Sequence, residues 1–146
     1  MSTLHFAIPE EFYAPVERSA VTKTFSTHTL LFQRGDPAQG VYLIRTGRVA
    51  LSLVNVPTQP PRIVGPGTLL GLPSAMGGRP YSLTAEAIEP VEAGFIPREE
   101  VLNLLTQRTD ICLAVAKGLA TELTESRRQA AQLLEEQFQG LVSHSM

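Results

Sequence analysis

Glycine recurs at positions 65, 67, 71, 77 and 78 between short apolar runs in the stretch G-P-G-T-L-L-G-L-P-S-A-M-G-G-R-P-Y-S-L-T-A-E-A, residues 65–87. Such density is unfavourable inside a helix or a strand, because glycine gives up more backbone freedom on folding than any other residue. The spacing predicts tight turns around a small site. There positive φ and a missing Cβ let another backbone or a ligand come close, and free N–H groups at a turn or short helix start can cradle an anion. Hairpin turns with no ligand are the plainer reading of the same pattern.

The segments flanking this stretch alternate like strands. From Ala20 the chain reads V-T-K-T-F and then T-L-L-F, rich in β-branched and aromatic residues, before the turn R-G-D-P-A-Q-G. V-Y-L-I-R over residues 41–45 and R-V-A-L-S-L-V over 48–54 predict two further strands, with Thr46-Gly47 between them as a hairpin turn. In the second, Val49, Leu51 and Leu53 share one face. N-V-P-T-Q-P-P-R is a loop by its prolines, and I-V-G, the glycine-rich stretch, S-L-T-A-E-A-I and V-E-A-G-F-I supply at least four more short extended pieces. Many short strands separated by turns predict an antiparallel sandwich, jelly roll or barrel. Ahead of them, Pro9 with Glu10 and Glu11 predicts a short helix that Pro15 ends, within a cap over residues 1–19.

After Pro97 the period becomes helical. Pro97 with Glu99 and Glu100 behind it marks a helix start, with Val101, Leu102, Leu104 and Leu105 as its apolar face. A longer helix is expected from about Ile111 to Gly140, with a tail over 141–146. Ala116, Leu119, Leu123, Ser126, Ala130, Leu133 and Gln137 follow a 3,4 spacing, a heptad seam fit for a partner helix; Ile111, Val115 and Ala120 form a second flank suited to packing on the body. Packing of the whole helix on its own chain is the alternative.

Composition narrows the function classes. The chain of 146 residues is 43% hydrophobic and 18% charged, ordinary for one globular domain. A net charge of -2 provides no footprint for phosphate backbones, so no direct nucleic-acid partner is expected. The single cysteine, Cys112, cannot form an internal disulfide, and the first residues show no basic and apolar leader pattern, which together predict a cytoplasmic protein. No apolar run of about 18 residues suggests a membrane span. His5, His28 and His144 lack metal-ligand spacing, so no metal and no cofactor are expected; His28 in F-S-T-H-T-L reads as a turn residue between strands. Cys112, between Ile111 and Leu113, reads as a small buried apolar residue. No nucleophile elbow, Walker loop or dinucleotide fingerprint occurs, and no enzyme is expected.

The run T-L-L-F-Q-R-G-D-P-A-Q-G-V-Y-L-I-R-T-G-R-V-A-L, followed by the glycine-rich stretch and two helices, resembles the cyclic-nucleotide-binding domain of the Crp/Fnr regulators over about residues 20–137. Gly35-Asp36, Gly40, Tyr42-Leu43-Ile44 and Gly47-Arg48-Val49 carry the resemblance most specifically. It implies a mainly β fold with α elements: a β jelly roll over 20–97, helices over 98–140, a phosphate-binding cassette, and a long C-terminal helix through which two subunits dimerise, here by Leu119, Leu123, Ser126, Ala130 and Leu133. The implied ligand pocket comprises Leu70, Gly71, Leu72, Pro73, Ser74, Arg79, Pro80, Tyr81 and Ser82.

The cassette departs from the family at two anchors. Where nucleotide-binding members have Phe-Gly-Glu, whose glutamate accepts a ribose hydroxyl, this chain has Leu70-Gly71-Leu72. Where they have Pro-Arg-Ser or Pro-Arg-Thr, whose arginine pairs with the cyclic phosphate, it has Pro80-Tyr81-Ser82. Each lost charge-assisted hydrogen bond costs about 1.5–3 kcal/mol, so two losses weaken binding by about two orders of magnitude or more. Arg79, two positions upstream, substitutes for that arginine only by swinging in, whereas a shifted side chain points to the opposite edge of the loop. Leu69, Leu70, Leu72, Met76, Tyr81 and Leu83 make the expected pocket apolar, filled or suited to a less charged molecule.

These readings lead to a non-enzymatic sensor module, probed by a small-molecule ligand or a protein partner, that does not take cyclic AMP or cyclic GMP in the usual way. The alternatives are the sensory half of a transcription regulator whose DNA-binding domain lies elsewhere or in a partner, and a metal-dependent cupin-like enzyme, against which the missing histidine pair argues.

Overall fold

The computed structural model describes residues 5–7, 13–52, 60–118 and 120. In chain order these form β1 (His5–Ala7), α1 (Tyr13–Arg18), β2 (Val21–Phe25), β3 (Leu30–Phe32), β4 (Gly40–Thr46), β5 (Val49–Ser52), β6 (Arg62–Val64), β7 (Thr68–Leu70), α2 (Leu72–Gly77), β8 (Thr84–Ala87), β9 (Val91–Pro97) and α3 (Arg98–Gln107). A fourth helix, α4, runs over 109–118. No helix among the described residues is long and apolar enough to cross a membrane.

Two antiparallel sheets build the expected jelly roll. One has the order β1-β7-β4-β9-β2 and the other β3-β8-β5-β6. Strand β4 sits at the centre of the first sheet, and its V-Y-L-I run alternates between two cores. Tyr42 and Ile44 turn into the roll interior with Phe32, Val49, Leu51, Leu70, Tyr81 and Leu83. Val41 and Leu43 turn outward to meet Val16 of α1, Leu72 and Ala75 of α2, Val101 of α3, and Ile111 and Val115 of α4. A strand covered on both faces has to be apolar at successive positions, which accounts for the unbroken run.

Three expectations are corrected here. Strands β4 and β5 do not pair; β4 pairs with β7 and β9, and β5 with β6 and β8. Thr46-Gly47 is therefore a corner between sheets and not a hairpin turn. Gly47 holds φ +89°, and a Cβ there would lie 2.3 Å from the Pro90 carbonyl oxygen, so the corner admits only glycine. In α1, Pro15 does not end a helix. It lies within the first turn of Tyr13–Arg18, where its absent N–H has no intrahelical acceptor to lose. The N-terminal segment also contributes a strand that the sequence reading lacked, as β1 pairs with β7 through His5↔Leu70 and Ala7↔Thr68.

Cys112 supplies the fourth correction, because it is exposed. Ile111 and Val115, one turn apart, set the buried face of α4, and this turns Cys112 and Leu113 to solvent. Ala116 and Ala120 are exposed as well. The remaining seam positions, Leu119, Leu123, Ser126, Ala130, Leu133 and Gln137, lie outside the described residues. His28 occupies the turn between β2 and β3 as read, with φ +69° and Nδ1 3.1 Å from a Glu86 carboxylate oxygen.

Helix α1 is tied to the first sheet by Arg45 of β4. Its Nε donates to Glu17 at 3.0 Å and its Nη1 to the Thr22 hydroxyl at 2.6 Å, while Nη2 meets the second Glu17 oxygen at 2.6 Å. The bidentate Glu17 contact raises the guanidinium pKa above its ordinary value.

Candidate functional site

The glycine-rich stretch folds into strand, tight turn, one short helix and tight turn. Gly71 takes φ +85° at the N-cap of α2, with Pro73 in the first turn, and Ala75 N–H donates back to Gly71 O at 3.0 Å. The helix closes on Gly78, where Gly78 N–H donates to Ala75 O and Arg79 N–H to Ser74 O at 2.9 Å. The glycine spacing of the cassette thus yields the tight turns expected of it.

Its contents differ from a vacant pocket. Tyr81 is 5% exposed and projects into the roll. Its hydroxyl donates to Gly40 O at 2.7 Å, and its ring stacks on Phe32 with centroids 4.0 Å apart and planes 17° apart. The ring edge lies where a side chain at Gly71 would start, 2.7 Å from an added Cβ, so glycine at 71 is required twice, by φ and by this contact. The aromatic column continues from Phe32 to Tyr42 at 5.8 Å, and from Tyr42 to Phe95 at 5.0 Å and Phe25 at 6.1 Å. Between Phe32, Leu51, Leu70, Gly71, Ser74, Tyr81, Ser82 and Leu83 about 10 Å³ is left, the space of one water molecule. Burial pushes the Tyr81 phenol up to about 12 and raises that of Tyr42 as well.

The residues expected to line the pocket divide. Leu70, Tyr81 and Leu83 face the roll interior. Leu69 and Leu72 face the helices, with Leu72 1% exposed among Val41, Ile96 and Val101. Met76 is exposed. These three do not make the pocket apolar: alternation along β7 turns Leu69 to the helices, Leu72 points there from the start of α2, and Met76 faces solvent. Ser74 is buried at the cassette, whereas Arg79, Pro80 and Ser82 lie at the surface and border an open groove of about 300 Å³ with Pro73, Ser74 and Gly77.

Phe32 and Gly40 escaped the sequence reading as partners of Tyr81. Gly40 carried a signal, a glycine directly before the most apolar strand of the chain; Phe32 carried none that separates it from any other strand aromatic.

The sequence model of the cyclic nucleotide-binding domain matches residues 22–108, more than half of the chain. The chain belongs to the cyclic nucleotide-binding domain family. It is 28% identical over 118 residues to the cyclic AMP receptor protein of Thermus thermophilus, a match that takes in 80% of this chain and 55% of that protein. The chain therefore spans about half the length of the curated relative it matches. Among solved structures, the Thermus thermophilus catabolite activator protein is similar with a TM-score of 0.68 and 26% identity, over 87% of this chain and 59% of that one. The N-terminal domain of a transcriptional regulator from Streptomyces coelicolor shares the fold, with a TM-score of 0.64 at 23% identity over 81% of this chain and 86% of its own. Within this cyclic nucleotide-binding domain, the position that the Crp/Fnr resemblance gives to an arginine is the one whose phenol plugs the roll.

Proposed function

We propose that this cyclic nucleotide-binding domain is a non-enzymatic regulatory module whose interior is occupied by its own aromatic side chains, and which does not bind cyclic AMP or cyclic GMP in the usual way. The observation that carries the reading is Tyr81, stacked on Phe32 and bonded to Gly40 O in a space reduced to about 10 Å³. A nucleotide entering there has to expel a buried ring and break that bond, and it finds leucine facing the other way at the position of the ribose acceptor. Millimolar cyclic AMP or cyclic GMP is expected to leave the melting temperature unchanged. Stabilisation saturating at micromolar nucleotide overturns the reading, since a ligand at 100 times its dissociation constant adds about 2.7 kcal/mol.

The module acts as a homodimer through the C-terminal helix in this proposal, on the strength of the 3,4 spacing that includes Leu119, Leu123, Ser126, Ala130 and Leu133. Leu123→Glu is expected to halve the mass measured by light scattering, because a carboxylate at a seam position is desolvated against its own copy. A mass equal to that of the parent protein assigns the face to intramolecular packing.

A second reading, the sensory half of a transcription regulator, draws on the likeness to the cyclic AMP receptor protein. It requires a basic helix-turn-helix in the same polypeptide or in a partner, since the net charge of -2 offers none here. Reading the coding sequence beyond Met146 and identifying what co-purifies with the protein separate the two.

A further inference from the structure

Outside the roll, on the far side of the cassette, lies a groove of about 370 Å³ bordered by Gly35, Pro37, Gly78, Arg79, Pro80 and Arg98. Three backbone segments fix its walls. Gly35 N–H donates to Tyr81 O at 2.8 Å and Tyr81 N–H to Asp36 O at 2.9 Å, which joins the 33–39 turn to the cassette exit. Arg98 N–H donates to Gln39 O at 2.8 Å, which joins the same turn to the start of α3.

Two guanidinium groups stand over this groove. Arg98 Nε donates to Ala75 O at 2.6 Å, the last-turn carbonyl of α2, and this anchors the head group. The anchor uses one donor of five, and Nη2 lies beside Gly78, 3.4 Å from where a Cβ would stand there. Arg79 folds its stem over Gly77, with Cγ, Cδ and Nε at 3.7–3.8 Å from that residue's absent Cβ. Of the two glycines, Gly78 borders this groove and leaves room beside Arg98. Neither guanidinium meets a carboxylate among the described residues, in contrast to Arg45, Arg48 and Arg108, each of which has its acid. Asp36, next to the groove in sequence, turns its carboxylate to accept Gln33 N–H at 3.1 Å.

We infer that this groove is a binding site for a small molecule bearing a phosphate-type oxyanion, gripped between Arg79 and Arg98. Its volume is that of a small-ligand cleft. Its two cations are forks suited to paired oxygens, and one of them is fixed in advance, so little ordering is required when the anion arrives. The site is separate from the roll interior and does not depend on whether Tyr81 excludes nucleotides.

The test is an NMR titration of the full chain with inorganic phosphate, ionic strength held constant with sodium chloride. Saturable shifts are expected at the Gly78 and Arg79 amides and at Arg98 Nε, with a dissociation constant in the millimolar range. Arg79→Gln should weaken binding by about tenfold or more, the loss of one charge-assisted bond. Because Arg98 also caps α2, Arg98→Lys accompanies Arg98→Gln: lysine keeps the charge but loses the fork, and should bind more weakly than the parent and more tightly than glutamine. The inference is overturned if chloride alone gives the same shifts, if both glutamine variants bind phosphate as the parent does, or if the shifts fall on Ser74 and Ser82 without Arg98, which places the anion at the roll mouth. Failure of the plugged-roll reading shows elsewhere, as cyclic-nucleotide shifts at Tyr81, Phe32 and Gly40.

Discussion

Tyr81→Ala is expected to lower the unfolding free energy by about 3–5 kcal/mol, the range for removing a buried aromatic ring. The ring fills the space between Phe32 and Gly71, and Leu70 and Leu51 cannot close over it, because both are fixed in sheets that are paired on each side. Urea unfolding followed by far-UV circular dichroism measures the loss, and a change below about 1 kcal/mol removes the ring from the core. Tyr81→Phe separates the hydroxyl from the ring. It deletes the bond to Gly40 O and leaves a buried carbonyl unpaired, at about 1–3 kcal/mol.

Tyrosine 81 also gives the fold an alkaline limit. Its phenol titrates near 12 in the folded chain against an ordinary value of 10.0. The neutral form is the one that folding favours, so this contribution is fully present below pH 10 and is lost as the pH rises towards 12. The loss amounts to about 2–3 kcal/mol. Unfolding free energies measured from pH 8 to pH 11.5 should fall above pH 10 in the parent and fall less in Tyr81→Phe; parallel curves contradict the assignment.

Gly40→Ala should be strongly damaging for a single added methyl, about 3 kcal/mol or more, and should leave the protein largely insoluble at 37 °C. A Cβ at Gly40 would stand 2.3 Å from Ile96 O and 2.6–2.8 Å from the Phe95 ring. The first of these is backbone of the paired strand β9, which has no rotamer to change; Gly40 lies opposite Pro97 at the start of that pairing. The strand has to shift, and with it the carbonyl that receives the Tyr81 hydroxyl. Gly65→Ala is the control, since nothing lies within 4 Å of its Cβ and its φ is not positive. Equal melting temperatures for the two variants would deny the close approach. Combined with Tyr81→Phe, Gly40→Ala should cost less than the sum, because both act on one hydrogen bond.

Most strands of the roll were legible from β-branched and aromatic runs, and α3 from Pro97 followed by Glu99 and Glu100. What sequence could not supply was the pairing partner. Thr46-Gly47 carries a turn signal whether the chain reverses within a sheet or crosses to another, and only the distant partners β8 and β9 decide which. Strand β1 was hidden because three residues, H-F-A, have too little period to count. At the cassette, the loss of two polar anchors could be read directly from Leu72 and Tyr81. That Tyr81 turns inward to fill the roll while Leu72 turns outward into the helical core could not, because Leu72 opens α2 and Tyr81 lies beyond its end, and the direction each takes follows from the turns at Gly71 and Gly78 and not from residue type. Arg98 gave no hint of its place beside Arg79, 19 positions earlier in the chain. Cys112 was open to a better reading: the i, i+4 pair Ile111 and Val115 already fixed the buried side of α4.

Strand β4 is a partition a single ply thick. Tyr42 belongs to the aromatic column on one side, and its covalent neighbours Val41 and Leu43 belong to the helical layer on the other. Between the chamber and the layer formed by α1, α2, α3 and α4 there is no cushioning layer to absorb what crowds or vacates it.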